Sequence, residues 1–224
     1  MIKSEIASVI NIGIISLVMV FFASCTSTTV DEFRQGETGI ESGESIVILG
    51  RRQASDYETR SEFVECVGDR MRRGQNAINV VPEKEFVDAM FPWFEPRTAP
   101  LRPSGLEQLM AEDAVASKIN DFGIRYIIWI DGFTETSGRA GSISCAVGPA
   151  GGGCFGFGTW EDDASFDAFV WDIDSLRNVG TINADATGQS YLPALVVPIP
   201  LLARVEENAC SRLATQLKDF VKGS

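Results

Sequence analysis

IRYIIWIDGF, residues 124–133, decides the fold. Positions 126–130 are all apolar, and successive side chains of a strand point to opposite faces, so both faces of this strand need cover. A strand of that kind belongs inside a sheet with layers packed on it rather than at an edge. What precedes it supplies the layers. SIVILG, residues 45–50, reads as a buried strand; Thr59 and Glu62 then have capping-box spacing, and Phe63, Cys66, Val67 and Met71 form a helical stripe that Gly74 stops. AINVV, residues 77–81, is a second strand, followed by Pro82 at a helix start and a stripe of Phe86, Val87 and Met90. A further helix, opened by Ser104 and Glu107 and carrying Leu106, Leu109, Met110, Val115 and Ile119, should run to about Asn120.

Downstream the pattern changes. Short apolar segments at 141–147, 155–160, 165–173 and 180–187 are separated by glycines and turn formers, which predicts an antiparallel meander continuing the sheet. YLPALVVPIPLLA, residues 191–203, is apolar but broken by Pro193, Pro198 and Pro200, and is too short to cross a bilayer as a helix of about 20 residues. The final helix carries Leu202, Val205, Ala209, Leu213, Leu217 and Phe220 on one face, with Lys218 and Lys222 near its negative end and Gly223 closing it. The expectation is an α/β domain with a mixed sheet, an antiparallel Gly-punctuated meander, and helices packed on the sheet.

The N-terminus carries a different signal. Lys3 is followed by the apolar run 10–22 and by Phe22-Ala23-Ser24-Cys25, an order that resembles the signal peptide and lipobox of bacterial lipoproteins, in which the cysteine is acylated and becomes the new N-terminus. That resemblance implies lipidation of Cys25, removal of residues 1–24, and attachment to a bilayer in the cell envelope. Thr26 in place of an aspartate directs the expectation to the outer membrane, facing the periplasm. Residues 25–44 are rich in Ser, Thr, Gly and Glu and read as a flexible tether, and residues 45–224 as one domain.

Composition removes whole classes of activity. The chain has no histidine, which excludes Ser-His-Asp and Cys-His catalysis and imidazole-held metals. Loss of residues 1–24 takes one Lys and one Glu and leaves the net charge at -12, unsuited to nucleic acid. GGGCFG, residues 151–156, satisfies the letters of a dinucleotide fingerprint, with Asp172 downstream, but it opens strand-like sequence rather than a helix. No cofactor or metal is expected.

Cys145 and Cys154 flank a glycine-rich turn between two strands, where a disulfide closes easily in an oxidising compartment. Cys66 and Cys210 lie on or beside helical apolar stripes and either bridge two helices or remain buried thiols. Glu161, Asp162 and Asp163, with Asp167 or Asp172, offer carboxylates for a histidine-free hydrolase or a cation, although such a run is more often a solvated turn. FPWFEPRTAPLRP, residues 91–103, carries four prolines that forbid regular structure. Its Phe91, Trp93, Phe94, Glu95 and Arg97 are either a flap over the core or a partner-binding loop, since Trp and Arg often dominate interfaces.

Across residues 45–221, the order of elements, with the strand pair 165–187 leading into the last helix, resembles the periplasmic α/β domain of envelope lipoproteins related to the curli secretion channel (CsgG-like). The resemblance implies a non-enzymatic envelope component that assembles with itself or supports another complex. The competing expectation is a carboxylate enzyme or glycan-binding module in the periplasm.

Overall fold

The computed structural model describes residues 26–52, 58–149, 151–198 and 200–223. Residues 1–25, with the signal peptide and Cys25, lie outside the described residues. Six strands and five helices are present among those described: β1 (Thr26–Arg34), β2 (Ser45–Gly50), α1 (Ser61–Arg72), β3 (Val80–Val81), α2 (Glu83–Ala89), α3 (Pro103–Met110), α4 (Asp113–Asp121), β4 (Ile124–Gly148), β5 (Gly151–Asp172), β6 (Arg177–Val196) and α5 (Val205–Lys222). The sheet order is β1-β6-β5-β4-β2-β3. β2 runs parallel to both β3 and β4, with Ile46 beside Tyr126 and Gly50 beside Ile130. Gly132 lies against Ser165 and Gly141 against Phe157, so β4 and β5 run in opposite directions and the sheet is mixed.

The doubly apolar strand sits where its composition requires. Tyr126, Ile127, Ile128, Trp129 and Ile130 are all buried. Ile127 and Trp129 join Phe86, Leu106, Val115 and Ile119 from α2, α3 and α4 in one apolar cluster. The alternate residues of the sheet meet the other helices: Phe166 stacks on Phe63 of α1 with centroids 3.5 Å apart. α1 and α5 are joined by the Cys66–Cys210 disulfide, and Arg60–Glu206 (3.1 Å) and Arg70–Glu207 (3.4 Å) pairs line the same seam. Both halves of the sequence expectation, a mixed sheet and helices on it, are present.

Contact density divides the chain into two units. One contains residues 27–135, 163–187 and 204–223 and holds every described helix; the other contains Thr26 and residues 136–162 and 188–203. Among its described residues the second holds strands and bridges and no helix: the end of β4 and the start of β5 form a hairpin closed by the Cys145–Cys154 disulfide, and after β6 the chain returns so that Tyr191 bridges Leu201 and Ala194 bridges Pro198.

Several sequence expectations change. The tether expected over residues 25–44 contains a strand: β1 adds to the β6 edge, a position that asks only for a partner ladder and a half-buried face, which its alternating burial supplies. Beyond it Gly39 is pinned by the Tyr126 hydroxyl, which accepts from the Gly39 N–H (3.0 Å) and donates to its carbonyl (3.1 Å). The four expected meander strands, and the strand 124–133, merge into three long ones. Gly132 and Gly141 have positive φ inside β4, and a Cβ at either would overlap a backbone carbonyl of β5. Glycine here permits close backbone approach within a strand, where the sequence alone suggests a turn. The helix expected over 104–120 breaks at Ala111 and Glu112 into α3 and α4. Thr59 does not cap α1; its hydroxyl donates to the Ile130 carbonyl (3.1 Å) and accepts from the Gly132 N–H (3.2 Å).

The disulfides close loops of very different length, 144 and 9 residues in separation. Chain-entropy arguments give about 5 kcal/mol for the first and about 2.6 kcal/mol for the second. Replacing Cys66 and Cys210 together by serine should therefore lower the melting temperature more than the same change at Cys145 and Cys154, as calorimetry of the two double variants would read.

Candidate functional site

The proline-rich loop takes an irregular course from residue 91 to 102, with Pro103 opening α3, and its aromatic residues divide between core and surface. Phe94 is 3% exposed and meets Phe86 edge-on at 4.9 Å, so it is a core residue. Trp93 is half-buried, with the Lys118 ammonium 5.5 Å above its ring. Phe91 is 63% exposed, Arg97 is exposed and Glu95 is half-buried. Of the residues proposed for partner binding, Phe91 and Arg97 are thus available at the surface, and Phe94 serves as the nail that holds the loop down.

The clamp on the loop comes from Arg51, immediately after β2. Its guanidinium donates to the carbonyls of Pro100 (2.9 Å) and Leu101 (3.2 Å) while lying 4.1 Å over the Trp129 ring and 5.4 Å from that of Trp171. Burial pushes the guanidinium down to about 10, and the nearby Asp131 opposes that shift, so it stays charged at neutral pH. Asp131 is pushed up, first by burial and then by Asp167, against the pull of Arg51. Sequence reading missed Arg51, because nothing in SIVILGRR marks one arginine as a clamp. The two tryptophans in the neighbouring strands were the available signal, as stacking partners for a guanidinium.

Beside this loop a groove of about 580 Å³ runs along the β3 edge, between α1 and α2, with Glu95 and Pro96 at one end. Its apolar lining includes Ile48, Val64, Val80 and Val87. Four of its charged residues are paired with one another or with backbone: Arg52 with Glu83 (2.6 Å), Glu83 with the Gly50 N–H (2.9 Å), and Arg72 with Asp69 (2.5 Å) and the Val80 carbonyl (3.1 Å). Asp69 is held below the usual carboxylate range chiefly by its hydrogen bond from Arg72. Two arginine–carboxylate pairs, with Glu65, Lys84, Asp88 and Glu95 beside them, make a charged rim around an apolar floor, a shape suited to a side chain or an extended segment.

Three of the carboxylates proposed for chemistry, Asp162, Asp167 and Asp172, are spent on structure. Asp162 accepts from Thr136 (2.7 Å) and Ser190 (2.9 Å), tying three strands together. Asp167 accepts from Asn183 (3.0 Å). Asp172, 5% exposed, receives Arg125, the Asp174 N–H (2.9 Å) and the Ser175 hydroxyl (3.0 Å), closing the β5–β6 turn. Arg125 also meets Asp174 at 2.7 Å and Glu44 at 3.8 Å. Burial lowers its affinity for the proton, but the carboxylates, Asp172 first, outweigh that and raise it above the ordinary arginine value. Among the described residues no group of three or more His, Cys, Asp or Glu side chains is disposed to hold a metal ion, and no helix is long and apolar enough to cross a membrane.

No protein-family model matches the chain, and no curated protein matches it. Among solved structures, a PelC dodecamer from Paraburkholderia phytofirmans aligns over 88% of this chain and 99% of its own, with 11% identity and a TM-score of 0.45. A single-substitution variant of that protein aligns over 88% and 100%, with 9% identity and a TM-score of 0.43. No function passes to this chain from a likeness of that size.

The division of the loop sets an expectation. Phe94→Ala should cost about 3–5 kcal/mol in denaturant unfolding, as for a core phenylalanine. The exposed pair Phe91→Ala and Arg97→Ala should together shift stability by less than about 1 kcal/mol.

Proposed function

We propose that this protein is a non-enzymatic envelope lipoprotein, held to a bilayer by acylated Cys25, that acts in the assembly or support of an envelope complex. The observation that carries the reading is the cysteine count. The chain has five cysteines. Four of them are joined as Cys66–Cys210 and Cys145–Cys154, which fits an oxidising compartment. The fifth is Cys25, at the end of an apolar run and a small-residue pair. Lipidation, the outer membrane as destination and the periplasm as the facing compartment follow from that reading. The element-order resemblance to CsgG-like envelope lipoproteins fits it, as a reading of sequence.

Two features favour a binding role over catalysis. Asp162, Asp167 and Asp172 are engaged in bonds between strands and turns, as is Glu83 at the groove. Phe91 and Arg97 stand exposed on a loop that Arg51 and Phe94 have already fixed, so little conformational entropy remains to be lost on docking. A protein partner, or a second copy, is the ligand this surface suits.

Growth with a clickable fatty-acid analogue tests the anchor. Label should enter the wild type and disappear in Cys25→Ala; label retained in that variant would overturn the lipoprotein reading. Crosslinking in intact membranes tests the loop. Phe91→Ala with Arg97→Ala should lose at least one crosslinked species while folding as before, and an unchanged crosslinking pattern would remove the loop from the partner surface.

A further inference from the structure

The unit made of Thr26 and residues 136–162 and 188–203 differs in composition from the rest of the chain. Residues 140–160 and 188–203 contain no Asp, Glu, Lys or Arg, in a protein of which 22% is charged. Exposed large apolar side chains gather there as well: Val147 at 91%, Phe155 at 64%, Phe157, Val197 and Leu202. These residues stand on two hairpins that satisfy much of their own backbone. The β4–β5 hairpin is bridged by Cys145–Cys154, and in the second hairpin Tyr191 exchanges both hydrogen bonds with Leu201, at 2.9 and 2.7 Å. Phe157 packs 6.0 Å from Tyr191, which holds the two hairpins side by side.

We propose that these paired hairpins form a lipid-contacting foot, with Val147, Phe155 and Phe157 seated in the acyl-chain boundary of a bilayer. The inference goes beyond the acylated anchor and stands without it. The absence of charge selects the occupant. A protein interface surrounds its apolar centre with a polar, charged rim and favours arginine, whereas neither hairpin supplies a charged residue along its whole uncharged length. Hydrocarbon is the environment in which charge is most costly and in which exposed phenylalanine and valine cost nothing.

The depth of contact is bounded from two sides. Charge returns at Arg139 on β4 and at Glu161 and Asp162 on β5, directly beyond Trp160, so the headgroup level lies there, where tryptophan is favoured. The edges set the other bound. Among the described residues of this unit the uncharged stretches form two hairpins, fewer strands than the about eight of the smallest membrane barrels, so they do not close on themselves. An open sheet edge is not tolerated in the hydrocarbon centre. A single copy therefore enters the interfacial layer and does not span.

Phe155→Trp places a reporter in the foot, and Phe91→Trp places one on the exposed loop of the other unit. Each full-length protein is mixed with phosphatidylcholine vesicles whose acyl chains are plain or brominated. The emission added by Phe155→Trp should fall by about half or more in the brominated vesicles and be shielded from acrylamide; that added by Phe91→Trp should change in neither respect. Equal emission from Phe155→Trp in the two lipids overturns the foot, as does protein that remains in the aqueous phase. Shielding from acrylamide without bromine quenching also overturns it, because a protein surface then covers the residue. Fatty-acid labelling of Cys25 on the same preparations reports the anchor separately, so failure of either idea is seen without the other. Unchanged melting of both reporter variants confirms that the comparison is between folded proteins.

Discussion

The two-sided burial of residues 126–130 is the constraint on which the helical unit depends. A strand with Tyr126, Ile128 and Ile130 on one face and Ile127 and Trp129 on the other has no solvent face to offer. Everything packed near it answers that demand: α2, α3, α4 and the proline-rich loop on the cluster side, and α1 and α5 beyond the other parity of the sheet. At about 25 cal/mol per Å² of apolar surface removed from water, five such side chains account for on the order of 10 kcal/mol of gross burial, comparable to the net stability of a domain.

Polar groups in this unit hold geometry at the places where the apolar layers end. Arg51 spreads over Trp129 and Trp171 and binds two carbonyls of the loop, so one side chain satisfies backbone that the prolines prevent from pairing regularly. Arg125, at the start of β4, gathers carboxylates instead: Asp172, Asp174 and Glu44 converge on it. Burial of such a pair is costly by itself, and it persists because Asp172 also accepts the turn's own N–H and hydroxyl. Trp129 marks the limit of the arrangement, since its indole N–H is buried without a hydrogen-bond partner among the described residues.

Elements with a strong periodic signal were legible in the sequence. The central strand, SIVILG, the last helix and the stripe of α1 appear where their apolar spacing puts them, because burial decides both the pattern and the structure. Glycine was misleading: at 132 and 141 it marks close approach of two backbones inside a long strand, and the sequence does not distinguish that use from a turn. β1 was illegible for the opposite reason. TSTTVDEFR has too little apolar area to announce a buried element, yet an edge strand needs chiefly a ladder to join, and that ladder is set by β6, far along the chain. At the candidate site, the burial of Phe94 and the exposure of Phe91 were equally hidden, since both are phenylalanines beside a proline or tryptophan; only the position of Phe86 separates them.

The nested pairing of the four bridged cysteines has a consequence for how the chain matures. The inner bridge joins neighbours, whereas the outer one joins Cys66 to Cys210, in the second turn of the last helix. If the chain is threaded across a membrane from its N-terminus, as proposed, Cys66 arrives first of these four, then Cys145 and Cys154, and its true partner last. Oxidation in order of arrival would couple Cys66 to the wrong thiol and trap α1 away from α5. On the proposed envelope reading, correct maturation therefore calls either for oxidation that waits until translocation is complete or for a thiol-exchange catalyst that reopens early errors.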